Sequence, residues 1–222
     1  MINKKEFDKF YKITDPWKVN NKQSRNFILK KIFEKYIKKN SSLIEIGCGE
    51  GNFSKVINKL SKNNFGIDIS EIAINRAKKL KLDNYKFQQF DLIKINYSKF
   101  DVIICLEVLY YLNKKERNLF FSKIKGNKIL IFSAPIIGKN KHREYFTDCS
   151  LKKIFKTYGF RIIEEKNLNF YANKSFLNRI VNKIFFNKLF NENIITYNIL
   201  QLIPMKHIYQ KVYVLQLNKT KP

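Results

Sequence analysis

The 222-residue chain is one generous domain in length, and at 45% hydrophobic, with 20 Phe and 12 Tyr spread along it, disorder is excluded as its main state. No apolar run reaches the length of a membrane span, the start has no signal-peptide core, and Cys48, Cys105 and Cys149 lack metal spacing. A net charge of +26 would ordinarily suggest a polyanionic partner, yet 38 of the 44 basic residues are Lys and 26 residues are Asn, a bias that an AT-rich genome produces by default.

Helix and strand patterns alternate along the chain without a repeat or a Gly/Pro linker. Residues 24–38 carry apolar side chains at helical spacing (Phe27, Ile28, Ile32, Phe33, Tyr36, Ile37). A short apolar strand over 42–46 runs into Gly47-Cys-Gly49-Glu-Gly51, and a helix is expected over 52–60. A second strand over 64–69 is followed by Ser70 as N-cap of a helix to Leu80, with Ile72, Ala73, Ala77 and Leu80 facing inward. Strands over 85–90, 100–105 and 128–133 alternate with a helix over 114–124. A helix over 148–158 stops at Gly159, and the last two strands are expected over 160–167 and 208–217. Between them, 174–191 reads as an amphipathic helix, either packed on the domain or serving as a lid or membrane-surface helix. This succession specifies an α/β fold: a mostly parallel sheet with helices on both faces.

The chemistry concentrates at strand ends. Glycines 47, 49 and 51 stand where a buried strand turns sharply into a helix, so backbone N–H groups can approach a ligand closely. The Gly-x-Gly-x-Gly spacing differs from the dinucleotide fingerprint, and no Lys-Ser/Thr follows to make a triphosphate loop. Asp68 ends the second strand, where a carboxylate can accept both hydroxyls of a ribose, and Asp91 ends the third, where one can accept from an adenine amino group.

In that order and spacing, the chain resembles the class I S-adenosylmethionine (SAM)-dependent methyltransferases over about residues 40–170. Glu45-Ile-Gly-Cys-Gly-Glu-Gly51 matches the family's first motif, Gly66-Ile-Asp68-Ile69-Ser70 its second, Phe90-Asp91-Leu92 its third and Phe100 to Leu112, containing Leu106-Glu107, its fourth. The resemblance implies a Rossmann-like, doubly wound sheet of seven strands, the last antiparallel, with SAM as cofactor. It implies that Gly47 and Gly49 back the methionine part, Asp68 holds the ribose, and Asp91 and Leu92 frame the adenine, with Cys48, Gly51 and Ile69 also among the cofactor-binding residues. Leu106 and Glu107 would lie near the sulfonium, and Glu45 would orient the loop and the cofactor's amino group.

Asp15-Pro-Trp17 together with Glu107-Val-Leu-Tyr110-Tyr111 is similar to the nodulation-type N-methyltransferases acting on chitin-derived oligosaccharides. Trp17 either covers the cofactor or pins the N-terminal helix. His142, after the fifth strand, is the candidate general base, and Tyr110 and Tyr145 are candidates to stack on or bond a sugar. The expected organisation is a helical cap over 1–40, a SAM-binding core over 41–170, a helical insertion over 171–207 and a last strand over 208–217.

The expected activity is methyl transfer to O or N of a small-molecule or saccharide acceptor in the cytoplasm. An RNA methyltransferase using the basic surface, and a non-catalytic SAM-binding adaptor with peripheral membrane contact, stay open as alternatives. Nucleic acid is not favoured: Lys lacks the bidentate fork of Arg, and the fourth strand ends in Cys-Leu-Glu-Val without the Asn/Asp-Pro-Pro-Tyr/Phe signature of base methylation.

Overall fold

A computed structural model describes residues 4–137, 145–170, 201–202, 205 and 208–217. In chain order these form α1 (Lys4–Phe10), α2 (Gln23–Tyr36), β1 (Ser42–Ile46), α3 (Ser54–Ile57), β2 (Asn63–Asp68), α4 (Glu71–Lys78) and β3 (Tyr85–Gln89). There follow β4 (Val102–Leu106), α5 (Lys114–Lys123), β5 (Lys128–Pro135), α6 (Asp148–Thr157), β6 (Phe160–Phe170) and β7 (Ile208–Leu217).

The seven strands make one sheet in the order β3-β2-β1-β4-β5-β7-β6. The pairs β3/β2, β2/β1, β1/β4 and β4/β5 are parallel, whereas β7 lies antiparallel between β5 and β6. Strand order reverses between β1 and β4, so a crevice opens at their carboxyl ends.

The central strands read as continuous apolar runs because both faces are covered. On one face, Leu43, Val102, Ile104, Val212 and Val214 pack with Ile28, Leu29, Ile32 and Phe33 of α2. On the other, Ile44, Ile103, Leu130, Phe132 and Tyr213 pack with Phe120 and Phe121 of α5 and Leu151 and Phe155 of α6. Successive residues of a strand thus enter opposite cores, as the period of two requires.

Three expectations shift. The helix expected over 52–60 contracts to Ser54–Ile57, because Ser54 turns inward to donate to Glu45 (2.5 Å) and the amides of Leu60 and Ser61 both return to the Ile57 carbonyl. In α4 the buried set is Ala73, Ile74 and Ala77; Ile72 is only partly covered. The third strand ends at Gln89, leaving Asp91 in the following turn. The helix expected over 174–191, and with it most of the 171–207 insertion, lies outside the described residues, as do His142 and His207.

The N-terminal residues lie over the start of α4. Ser70, which caps α4 by accepting from Ala73 N–H (3.3 Å), donates its hydroxyl to Asp8 of α1 (2.5 Å), and Lys4 pairs with Glu71 (3.1 Å). This docking carries α1 and the loop after it across the crevice.

Candidate active site

A cavity of about 300 Å³ occupies the carboxyl ends of β1, β2 and β4 beneath the N-terminal segment. Gly47 and Gly49 line it with φ of +65° and +55°, left-handed conformations that cost a side-chain-bearing residue about 1–2 kcal/mol. The bare Cα atoms also serve packing: a Cβ on Gly47 would run into Val108, and one on Gly49 would stand 2.7 Å from the Tyr11 hydroxyl. Gly51, by contrast, faces Leu80 and Ala77, so its role is to seat the loop on α4. Cys48 lines the cavity, its N–H donating to the Ile67 carbonyl (2.9 Å) and its buried thiol pushed up in pKa by desolvation.

Asp68 ends β2 and is 7% exposed. One carboxylate oxygen accepts from Gly49 N–H (3.0 Å) and the other from Ser70 N–H (2.9 Å), so the residue ties the glycine loop to the α4 cap. Burial outweighs these bonds and raises its pKa to about 6. Glu45, on β1, accepts at Oε2 from both Ser54 and Tyr85 hydroxyls (2.5 Å each), and burial raises its pKa to about 7. Tyr85 reaches Glu45 past Gly66, where a Cβ would come within 3.1 Å of its ring. Ile69, Phe90, Asp91 and Leu92 continue the lining; Asp91 also caps a 3-10 turn by accepting from Ile93 N–H (3.0 Å).

A strap closes the other side. Glu50 of the glycine loop accepts from Asp15 N–H (2.9 Å) and from Arg76 of α4, and Arg76 also donates to the Ile13 carbonyl (3.0 Å). Asp15 in turn caps the Val19–Asn21 turn through Val19 N–H (2.7 Å) and Asn20 N–H (3.0 Å). Trp17 lines the cavity and packs edge-on against Tyr11 with centroids 5.0 Å apart, so it both covers the site and pins the segment.

Two cations that sequence reasoning passed over enter from the α2 side. Lys22 and Arg25 line the cavity; Arg25 is 5% exposed, lies over the Phe53 ring at 5.2 Å, and its Nε has no hydrogen-bond partner among the described residues. Burial lowers its pKa. The signal was present: Arg25, Ile28, Leu29 and Ile32 share one stripe at helical spacing, which puts a cation on the buried face. At the β4 end, Leu106, Glu107 and Val108 line the cavity. Glu107 holds φ at +60°; its N–H donates to the Ser133 carbonyl (3.0 Å), and its Oε1 accepts from the Ser133 hydroxyl (2.8 Å). Tyr110, Tyr111, Asn169, Tyr209 and Gln210 complete the far wall, with Tyr145 stacked on Tyr110 at 6.2 Å.

The sequence-predicted residues Trp17, Glu45, Gly47, Cys48, Gly49, Asp68, Ile69, Asp91, Leu92, Leu106, Glu107 and Tyr110 therefore meet around one cavity. Its donor set fits SAM: two glycine cradles that a Cβ would fill, carboxylates for hydroxyl and amino groups, and a buried guanidinium whose Nε has no partner among the described residues and suits a carboxylate.

Comparison with known proteins agrees. A family described as "Methyltransferase domain" matches residues 37–158. The chain is 33% identical over 185 residues to the ubiquinone biosynthesis O-methyltransferase of Pelagibacter ubique, covering 73% of this chain and 70% of that protein. It is 27% identical over 107 residues to nodulation protein S of Azorhizobium caulinodans, covering 46% of this chain and 52% of that one. Magnesium protoporphyrin IX methyltransferase from Synechocystis PCC 6803, solved with bound SAM, superposes with a TM-score of 0.60 at 18% identity over 91% of this chain and 81% of its own. With the family matched over more than half its length and the motifs gathered at the carboxyl edge of the sheet, the chain belongs to the class I SAM-dependent methyltransferases.

Proposed function

We propose that this methyltransferase O-methylates a hydroxyl on a small, planar acceptor, most simply a phenol. The observation that carries the reading is the lining of the cavity: the Tyr11–Trp17 strap and the glycine loop form one end, and Tyr110, Tyr111 and Tyr209 line the other. Aromatic faces suit a planar ring, and they suit a sugar ring also. The 33% identity to an O-methyltransferase of ubiquinone biosynthesis favours an oxygen acceptor over the saccharide nitrogen that the resemblance to nodulation-type N-methyltransferases implies.

SAM supplies a methyl group on a sulfonium, a leaving group that needs no acid from the protein. The chain's own work is to bind, orient and exclude water. In this reading Asp68 accepts the ribose hydroxyls, Asp91 and Leu92 hold the adenine, and Gly47 and Gly49 let the backbone approach the methionine. Arg25 would hold the carboxylate, and Glu45, fixed by Ser54 and Tyr85, would hold the ammonium. Holding the acceptor in line with the methyl carbon is worth about 7–11 kcal/mol of barrier. The Tyr11–Trp17 strap lies over the cavity and would limit the access of water.

A cavity of about 300 Å³ lined by aromatic side chains supports a small acceptor over nucleic acid. Among the described residues no helix is long and apolar enough to cross a membrane. The test is methyl transfer from methyl-labelled SAM to a panel containing catechol, 4-nitrocatechol and chitooligosaccharides. Label entering the catechols supports the reading, and label confined to the saccharide amines would replace it.

A further inference from the structure

We propose that Glu107 is the general base of this reaction, taking the acceptor's hydroxyl proton at Oε2. The inference rests on the hydroxyl-acceptor reading above and names a catalytic group within that site.

Three observations carry it. Glu107 is a non-glycine residue at φ +60°, a conformation that persists only where surrounding structure holds it. Ser133 supplies that hold from both ends, its carbonyl accepting the Glu107 N–H and its hydroxyl donating to Oε1. A residue on the neighbouring strand thus fixes backbone and carboxylate together, although a glycine there would relieve the strain.

The second observation is that the clamp uses only one carboxylate oxygen. No described residue gives Oε2 a hydrogen bond, and Glu107 lines the cavity. Of the other cavity carboxylates, Asp15, Glu50 and Asp68 engage both oxygens in the fold; Glu45 is buried with Oε2 held by Ser54 and Tyr85, and Asp91, held at one oxygen by Ile93 N–H, lies in the turn after β3, away from the acceptor wall.

The third is position. Glu107 follows β4 at the strand-order switch, and Val108 beside it packs on Gly47 of the methionine-side loop. Tyr110 and Tyr111, three and four residues on, form the acceptor wall. The carboxylate therefore stands between the two ligands' ends of the cavity.

The step balances without a further reagent. The acceptor oxygen bonds to the methyl carbon, the carbon–sulfur bond breaks with its electron pair going to sulfur, and the hydroxyl proton passes to Glu107. A hydroxyl becomes strongly acidic as its oxygen takes on carbon, so a carboxylate is basic enough. Such a base contributes about 10²–10⁴-fold.

The experiment compares wild type with Glu107→Gln on catechol and on 4-nitrocatechol, which is largely ionised near neutral pH and needs no base. The expected result is a catechol-to-nitrocatechol rate ratio lowered about 100-fold or more in the variant, with SAM affinity by calorimetry within about twofold. A second readout needs no turnover: 4-nitrocatechol bound with S-adenosylhomocysteine should absorb more strongly as the nitrophenolate in Glu107→Gln, because the wild-type carboxylate favours the protonated phenol.

An unchanged rate ratio together with an unchanged spectrum overturns the assignment. A variant that loses SAM affinity overturns it too, and makes Glu107 a cofactor ligand. Wild type that binds SAM but methylates neither catechol overturns the hydroxyl-acceptor reading itself.

Discussion

The Tyr11 hydroxyl rests over the bare Cα of Gly49, so close that a Cβ there would stand 2.7 Å from its oxygen. The N-terminal strap and the cofactor loop are thus fitted to each other through an absent side chain. Gly49→Ala meets two costs, a left-handed φ of +55° and the tyrosine. It should destabilise the protein by about 1–2 kcal/mol and weaken SAM binding at least tenfold. Thermal melting and calorimetry measure the two effects separately.

Arg25 should show opposite effects on fold and function. Its guanidinium is buried without a carboxylate partner in the described structure, so replacing it by Met removes a desolvation cost. Arg25→Met is expected to leave the melting temperature unchanged or raise it. SAM affinity should fall by about 1.5–3 kcal/mol, the usual worth of hydrogen bonds to a charged group. Methylthioadenosine, which lacks the aminocarboxylate, should bind both proteins alike. A matching loss for that ligand would remove Arg25 from the carboxylate site.

Asp68 and Glu45 give the free protein a pH signature. Burial raises them from 3.8 to about 6 and from 4.5 to about 7, so between those limits the folded state holds more protons than the unfolded one. Stability therefore falls as pH rises from about 4 to about 7. Urea midpoints across that range check the sign. SAM should reverse the preference at Asp68, because ribose hydroxyls donate to the ionised form. Binding near pH 6 is then expected to release protons, and affinity should decline as pH drops below about 6. Calorimetry in buffers of different ionisation enthalpy reads the proton count, and zero release would contradict the ribose assignment. Asp68→Ala should weaken SAM binding by about 1.5–3 kcal/mol.

Arg76 holds the strap by joining Glu50 to the Ile13 carbonyl. Arg76→Ala leaves Glu50 buried with only the Asp15 amide, and the loop over 11–18 should open more often. SAM dissociation is expected to speed up about tenfold, equivalent to about 1.4 kcal/mol, with a smaller change in association. Stopped-flow displacement of bound SAM provides the measurement.

If composition explains the charge, binding to duplex DNA or RNA should vanish near physiological salt. A site contacting several phosphates would instead show a log–log salt slope of about −0.9 per contact on B-DNA. Retained, structure-dependent binding in fluorescence anisotropy would return RNA to the front as acceptor.

The sequence alone determined the layered α/β fold and the cofactor edge, because those features rest on local physics. Apolar runs of four or five residues make strands buried on both faces, Ser70 caps a helix, and the glycines mark the one turn where backbone must approach a ligand. The antiparallel last strand and the order of Asp68 and Asp91 were legible through the family's motif spacing. What only the tertiary structure decided were contacts between residues far apart in the chain. Tyr11 on Gly49, Tyr85 on Glu45, Glu50 with Arg76 and Ser133 on Glu107 span 26 to 40 positions. No local pattern encodes such pairs: sheet order and the docking of α1 bring them together. The same closure separates Gly51, which packs on α4, from Gly47 and Gly49, which line the cavity, though all three look alike in the loop. It also turns Arg25 from one more base in a Lys-rich chain into a buried cation facing the cofactor cavity, because only packing strips it of water.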